Sequence, residues 1–323
     1  MDLLTPAHRW ATAEQSADRS VDHDHHPHRM PPAQQVTMFL SVVGPIAGLA
    51  TAMVLLWHRG PASIGWPEII AMVGLYTLCG FGVTIGFHRL FTHRSFETNR
   101  FVRIWLAVCG SMAGQGALIR WCATHRRHHQ QSDRHGDPHS PHVHGDTSFD
   151  LLRGMWHAHM GWLFHRDCPD SARSIADLMS DPTLMLIDRL YFPLVFFGIL
   201  LPGAFVAAIT HTWYGFFSGM IWGGVMRICL LQHVTWSINS VCHVWGRRPF
   251  KSGDESANNW LFGLLALGEG WHNNHHAFPT SARQGLRWYQ FDSSWLVIRG
   301  LAFLGIVKNV RTPSAAALEA KKV

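Results

Sequence analysis

Charge is scarce in this chain of 323 residues. Only 15% are Asp, Glu, Lys or Arg, and just four are lysines (Lys251, Lys308, Lys321 and Lys322). Soluble domains usually carry about a quarter charged residues. The formal charge of +6 is mostly arginine dispersed among apolar segments, which speaks against a nucleic-acid surface and for attraction to an anionic leaflet. The six cysteines, at 79, 109, 122, 168, 229 and 242, contain no C-x-x-C pair. That excludes a zinc ribbon, an iron–sulfur cluster and a disulfide framework, and suits a reducing cytoplasmic face. An H-P-G-G haem motif, a ferredoxin cysteine pattern and a G-x-G-x-x-G fingerprint are also missing, so the chain brings no electron carrier or dinucleotide site of its own. Residues 1–35 lack the apolar core and cleavage site of a signal peptide. They include "HDHHPH" at 23–28 and are expected to form a disordered, His-rich tail.

Apolar sequence, by contrast, is plentiful. Hydrophobic residues make up 47%, and 15 tryptophans and 19 phenylalanines suit a membrane protein with interfacial anchors. A span needs about twenty apolar residues. Segments 36–57, 68–87, 190–209 and 213–234 qualify, so the expected fold is an all-α integral membrane protein: four transmembrane helices in two hairpins under a cytoplasmic helical cap. Arg227 is the one cation of the fourth segment, expected near its end, where it would snorkel or meet a partner. Residues 101–119 are a weaker fifth candidate, interrupted by Arg103, three glycines, Ser111 and Gln115. If they crossed, "HRLFTH" at 88–93 and "HRRHH" at 125–129 would lie roughly 30 Å apart on opposite faces. An interfacial or re-entrant helix keeps both on one side. The short links 58–66 and 210–212 hold a single arginine, Arg59, which places both termini and the stretches 88–189 and 235–295 in the cytoplasm. Residues 36–295 then form the membrane domain, and 296–323 an amphipathic, surface-lying segment and tail.

The histidines cluster beside these segments. His125, His128 and His129 stand at i, i+3 and i+4, one face of a helix, and His272, His275 and His276 repeat the spacing. His88 and His93 are five apart, about 140° around an α-helix, and converge only if the helix ends or bends between them. Eight imidazoles are too many for one metal, since zinc takes four ligands, so two metals share them. Imidazole suits Zn, Cu, Fe or Ni, and ligand type alone does not choose. Glu269 and Asp137 are candidates to accept the outer N–H of a ligand ring, with His139, His157 and His159 as further candidates to orient ligands. His135, His139, His142 and His144 fall in a polar loop and are expected to be mostly solvated, and His233 reads as a hydrogen-bonded packing residue.

Five phrases together make the chain similar to a known family: "HRLFTHRSF", "HRRHH", "DPH" at 137–139, "NSVCH" at 239–243 and "GEGWHNNHHAFP" at 268–279. In order and spacing over roughly residues 36–290, they resemble the membrane stearoyl-CoA Δ9-desaturases, as a bacterial-type member without a fused cytochrome b5 domain. The resemblance implies that two iron ions are bound by His88, His93, His125, His128, His129, His243, His272, His275 and His276, with Asn239 acting through water. Asn239 and His243 stand at i, i+4, which agrees with a shared direction. It also implies O₂-dependent insertion of a cis double bond, typically at carbon 9, into a saturated acyl chain carried by CoA. Zinc can replace iron on purification, because it binds such sites more tightly. Trp162, Trp271 and Gln115 are candidates to line the acyl tunnel. Electrons would come from a separate ferredoxin, cytochrome or NAD(P)H oxidoreductase, steered by Arg126, Arg127 and Arg134. Animal members place Arg-Asp before the H-x-x-H-H phrase, whereas this chain has Ala123-Thr124, so an acyl lipid or carrier-protein thioester stays open as substrate. The rival readings are a hydroxylase or ketolase of the same metal class, and a metal transporter. A transporter would need polar ligands along a crossing path within the spans.

Overall fold

Four helices are long and apolar enough to cross a bilayer: Met38–His58, Trp66–Thr92, Tyr191–Thr210 and Trp213–His243. The protein is seen in a computed structural model that describes residues 32–60, 64–145, 147–164 and 172–323. The "HDHHPH" run and Cys168 lie outside the described residues. The second and fourth spans are about half buried and form the centre of the bundle, while the first and third expose most of their apolar surface.

The two central spans run on past their expected ends. The second is α-helical over Trp66–Phe81 and then winds as a π-helix over Gly82–Thr92. The fourth contains a π segment at Met220–Met226, resumes as an α-helix over Arg227–Ser240 and finishes in a 3₁₀ turn, Val241–His243. At 1.5 Å per residue, 27 residues reach about 40 Å, so such a helix outruns a hydrocarbon core of about 30 Å. His88, Asn239 and His243 therefore ride on the protruding ends of rigid helices and not on loops.

The Arg100–Ser111 helix, capped by Asn99 accepting the Val102 N–H (3.0 Å), is 12 residues long and reaches only about 18 Å. It cannot cross, and the chain turns back into the Leu118–Gln131 helix. The rings of His88 and His125 then stand 4.6 Å apart, which puts the first two histidine phrases on the same side. The short helix meets the second span backbone to backbone: a Cβ on Gly82 would fall 2.1 Å from the Gly110 nitrogen.

Arg227 meets partners, as expected, but it does so in mid-span rather than near the end, and the partners are carbonyls. Fully buried in mid-span, it donates to the carbonyls of Met112 (2.8 Å), Gly198 (2.9 Å) and Gly223 (3.2 Å), tying the third and fourth spans to the turn after the short helix. At the link between those spans, His211 adopts a left-handed conformation (φ 54°) and the Thr212 hydroxyl caps the next helix by accepting the Gly215 N–H.

On the histidine side, Ile85, Phe87, Phe91, Leu118 and Ile298 form a buried core. The strand Glu97–Thr98 pairs antiparallel with Val307–Lys308, holding the C-terminal region beside the first histidine phrase. The five described cysteines are free and buried.

Gly82→Ala should cost about 2 kcal/mol or more, because neither backbone can retreat from the added methyl. Thermal unfolding in detergent checks this, and an unchanged midpoint would refute the close approach.

Candidate metal centre

The π winding of the second span brings His88 and His93 together. The His93 N–H donates to the His88 carbonyl (3.1 Å) in an i→i+5 bond, so residues five apart fall one turn apart and their rings stand at 4.8 Å. The helix widens and then ends at Thr92, between the two histidines, with His93 as its C-cap. Leu118–Gln131 presents His125, His128 and His129, the 3₁₀ turn of the fourth span presents His243, and a six-residue helix, His272–Ala277, buried throughout, presents the last three.

These nine rings sort into two groups. His88, His93, His125, His129 and His275 form one, and His128, His243, His272 and His276 the other; within each group the ligand atoms all lie within 4.8 Å of one another. The inner nitrogens face each other directly. His88 Nε2 and His275 Nε2 are 3.0 Å apart, His275 Nε2 and His129 Nε2 2.8 Å, and His243 Nε2 and His272 Nε2 3.0 Å.

Carboxylates hold several of the outer nitrogens. His128 Nδ1 donates to Asp137 (2.9 Å), His243 Nδ1 to Asp133 (2.8 Å) and His276 Nδ1 to Asp254 (2.6 Å), and His88 Nδ1 meets Glu269. A carboxylate only accepts, so the one proton of each neutral ring sits on Nδ1 and the Nε2 lone pair points inward. His272 and His275 lack such a partner at Nδ1 among the described residues.

Protonation does not relieve the crowding of lone pairs. Burial first, and the neighbouring imidazoles second, hold His93, His125, His129, His272 and His275 well below the ordinary histidine range. His276 is pulled down to about 4 by burial, against the opposing pull of Asp254. Although burial pushes His128 down, Asp137 more than offsets it and raises that ring. His93 Nε2 is buried with no hydrogen-bond partner among the described residues. Neutral rings with converging lone pairs are a donor set for cations, and the two groups could each hold one.

Two candidates for carboxylate support, Asp137 and Glu269, are in place, while Asp133 and Asp254 were not foreseen. Their distance in sequence from the rings they serve left no spacing to read. Also unforeseen is Arg89, fully buried, which donates to Glu269 (3.1 and 3.2 Å), Asp292 (3.0 and 3.2 Å) and the Ala282 carbonyl (2.8 Å). Its neighbour in sequence, His88, was the visible signal.

Other placements differ from expectation. His139 is buried rather than solvated, and its backbone N–H, not its ring, supports Asp137 (3.1 Å). Burial drives its ring down to about 3. His142 donates to the His243 carbonyl (2.7 Å), so this loop folds over the four-histidine group instead of into water. His159 is spent on Ser240 (3.1 Å) and His233 (2.9 Å), and His157 on the Pro138 carbonyl (3.2 Å), so neither orients a metal-facing ring directly. Arg126 is not a free steering charge: it ties the Leu118–Gln131 helix to the carbonyls of Phe91 (2.6 Å) and Thr92 (3.2 Å) and to Asp177 (2.7 Å).

A cavity of about 280 Å³ opens beside the rings, lined by Val42, Gln115, Trp121, Trp162, His125 and Asn239 among others. It adjoins a narrower space of about 40 Å³ between Val83, Leu231 and Leu267 that touches His88 and His272; the two share Trp121, His125, Thr235 and Asn239. Trp162 and Gln115 thus line the cavity. Trp271 does not: its ring lies against Gly263 and its indole N–H donates to the Phe291 carbonyl (2.8 Å). The Asn239 side chain makes no protein hydrogen bond among the described residues, and the residue lines both spaces.

A family model described as fatty acid desaturase matches residues 64–302. The chain belongs to that family. Among curated relatives, this chain is 41% identical over 281 residues (86% of this chain, 87% of the relative) to a hex-5-enoyl-[acyl-carrier protein] acetylenase of Moorena producens. It is 38% identical over 258 residues (78% and 86%) to an sn-1 stearoyl-lipid 9-desaturase of Anabaena variabilis. It is 37% identical over 260 residues (79% and 77%) to an acyl-CoA C20 Delta5-desaturase of Anemone leveillei.

His128→Ala and His275→Ala, one from each group, should each lower bound metal on elemental analysis while leaving helical circular dichroism unchanged; full occupancy in either would refute the grouping. Asp254→Asn should weaken metal affinity by roughly 10- to 100-fold, measured by chelator competition.

Proposed function

We propose that this desaturase inserts a cis double bond at carbon 9 of a saturated fatty acyl chain, using O₂ and two electrons from a separate redox protein. The overall change is one CH₂–CH₂ unit, O₂, two electrons and two protons converted to one CH=CH unit and two waters. The nine histidines are the proposed ligands of two irons, with Asn239 holding a water on one of them. Bound iron would supply the oxidising power that O₂ alone lacks towards unactivated C–H bonds.

The observation that carries this reading is the apolar cavity ending on the metal-facing rings. C–H bonds along an alkyl chain differ little in strength, so the carbon attacked must be chosen by where the chain is held. Trp121, stacked on His125 at 5.1 Å, stands at the junction of the two spaces, where it would limit chain movement. Val83, Leu231 and Leu267 would take the methyl-terminal part in surroundings without water. Asp133, Asp137, Asp254 and Glu269 fix the tautomer of four of the rings, and although burial pushes the Glu269 carboxyl up, His88 and then Arg89 hold it below its ordinary range.

The substrate is read as a fatty acyl thioester, acyl-CoA in the first instance. An acyl lipid is the second reading, favoured by Met38, Ser41 and Val42 of the first span lining the cavity and supported by the lipid-named relative. Positive charge outside the short links supports placing the histidine side in the cytoplasm of a plasma or inner membrane.

Expression in cells lacking their own Δ9 activity, followed by mass spectrometry of fatty acids, tests the reaction. A cis-9 monoene two hydrogens lighter than its parent is expected. A product gaining oxygen would instead identify a hydroxylase. Assays of purified protein on acyl-CoA and on lipid-linked acyl chains separate the two substrate readings.

A further inference from the structure

Outside the spans, the histidine side carries a face too apolar for water. Trp288 is 92% exposed, Phe303 89% and Trp260 72%, with Leu264 and Phe291 about half exposed. Contacts with the second span locate this face in depth. Tyr76 donates to the Leu265 carbonyl (2.9 Å), and Thr84 bonds Ser294 (2.7 Å). Counted from the exposed Trp66 at the far interface, Tyr76 and Thr84 lie about 15 and 27 Å along the helix. In a hydrocarbon core of about 30 Å, the Trp260–Leu265 helix sits within the near leaflet and the Ser293–Phe303 helix starts at its edge. Trp271 joins them, with its ring on Gly263 and its N–H on the Phe291 carbonyl.

At that edge lies a groove of about 430 Å³ lined by Arg283, Arg287 and Arg299 together with Trp288, Phe291 and Trp295. Arg287 and Arg299 are exposed and have no carboxylate partner among the described residues. Arg283 is partly committed, through Nε, to the Gly285 carbonyl (2.7 Å). The groove's one carboxylate, Asp292, is buried and bound to Arg89 (3.0 and 3.2 Å), so it leaves the positive charge uncompensated. Cations at head-group depth beside rings continuous with a lipid-facing span match one kind of occupant.

We propose that this groove binds the head group of an anionic phospholipid from the host bilayer, with its phosphate on Arg283, Arg287 and Arg299 and its chains along the Trp260–Leu265 helix. A freely soluble phosphate would gain nothing from the aromatic rim. Each arginine near a membrane surface is worth roughly fivefold in attraction to anionic lipid.

The test is native mass spectrometry of the purified full-length protein, offered phosphatidylglycerol or phosphatidylcholine of the same chains. The wild type should retain phosphatidylglycerol preferentially. Arg287→Gln/Arg299→Gln should reduce that preference by on the order of tenfold, at an unchanged thermal midpoint, whereas Arg134→Gln, an exposed arginine outside the groove, should not. Preference retained in the double variant, lost equally in Arg134→Gln, or abolished by millimolar inorganic phosphate would overturn the proposal.

Discussion

Nine imidazoles, buried or half-buried, bring their ring nitrogens together at two common positions. A buried polar atom without a partner is costly, and several such atoms facing one another at about 3 Å repel. Protonation would replace lone-pair repulsion with charge repulsion in a medium that screens poorly, which is why burial and neighbours keep most of the rings neutral. The two groups could each hold a cation, which would relieve that crowding. The fold around them prevents the rings from turning away.

That restraint is exercised largely from behind. Each carboxylate on an outer nitrogen is itself held in place. Asp133 accepts the Ser140 hydroxyl (2.6 Å) and the Glu255 N–H (2.9 Å), Asp137 accepts the N–H groups of Asp133 (2.9 Å) and His139 (3.1 Å), and Glu269 accepts Arg89 and Gln284 (3.2 Å). Arg89 reaches furthest. By bridging Glu269 and Asp292 it couples the second span to the third histidine phrase and to the start of the Ser293–Phe303 helix, whose Trp295 N–H Asp292 accepts (2.9 Å). A planar guanidinium with five donors suits such a junction, and a lysine could not satisfy it.

The membrane imposes the second constraint. In the proposed reaction a hydrocarbon chain would reach the histidine groups from lipid, while those rings must stand on rigid supports. Helices longer than a bilayer core meet both demands, since their ends carry His88 and His243 while other residues of the same helices line the cavity. The π segments widen the helix where this is needed. In the second span the widening turns His93 back towards His88, at the place where the Arg100–Ser111 helix approaches backbone to backbone.

Much was legible in the order of residues alone: the four spans, because twenty apolar residues leave a backbone no other way to satisfy its hydrogen bonds in lipid, and the H-x-x-H-H phrases, because i, i+3 and i+4 share a helix face whatever surrounds them. Family resemblance added His243 and Asn239, for which spacing offered only a shared direction. What tertiary structure alone decided was everything resting on proximity between distant segments. Asp133 and Asp254 reach rings 110 and 22 residues away, His139 and His142 were drawn from a polar loop into the interior, Trp271 turned from the cavity to the loop behind it, and Arg126 was consumed by carbonyls. Local periodicity reports which way a side chain leaves its own helix. Only packing determines what it meets there.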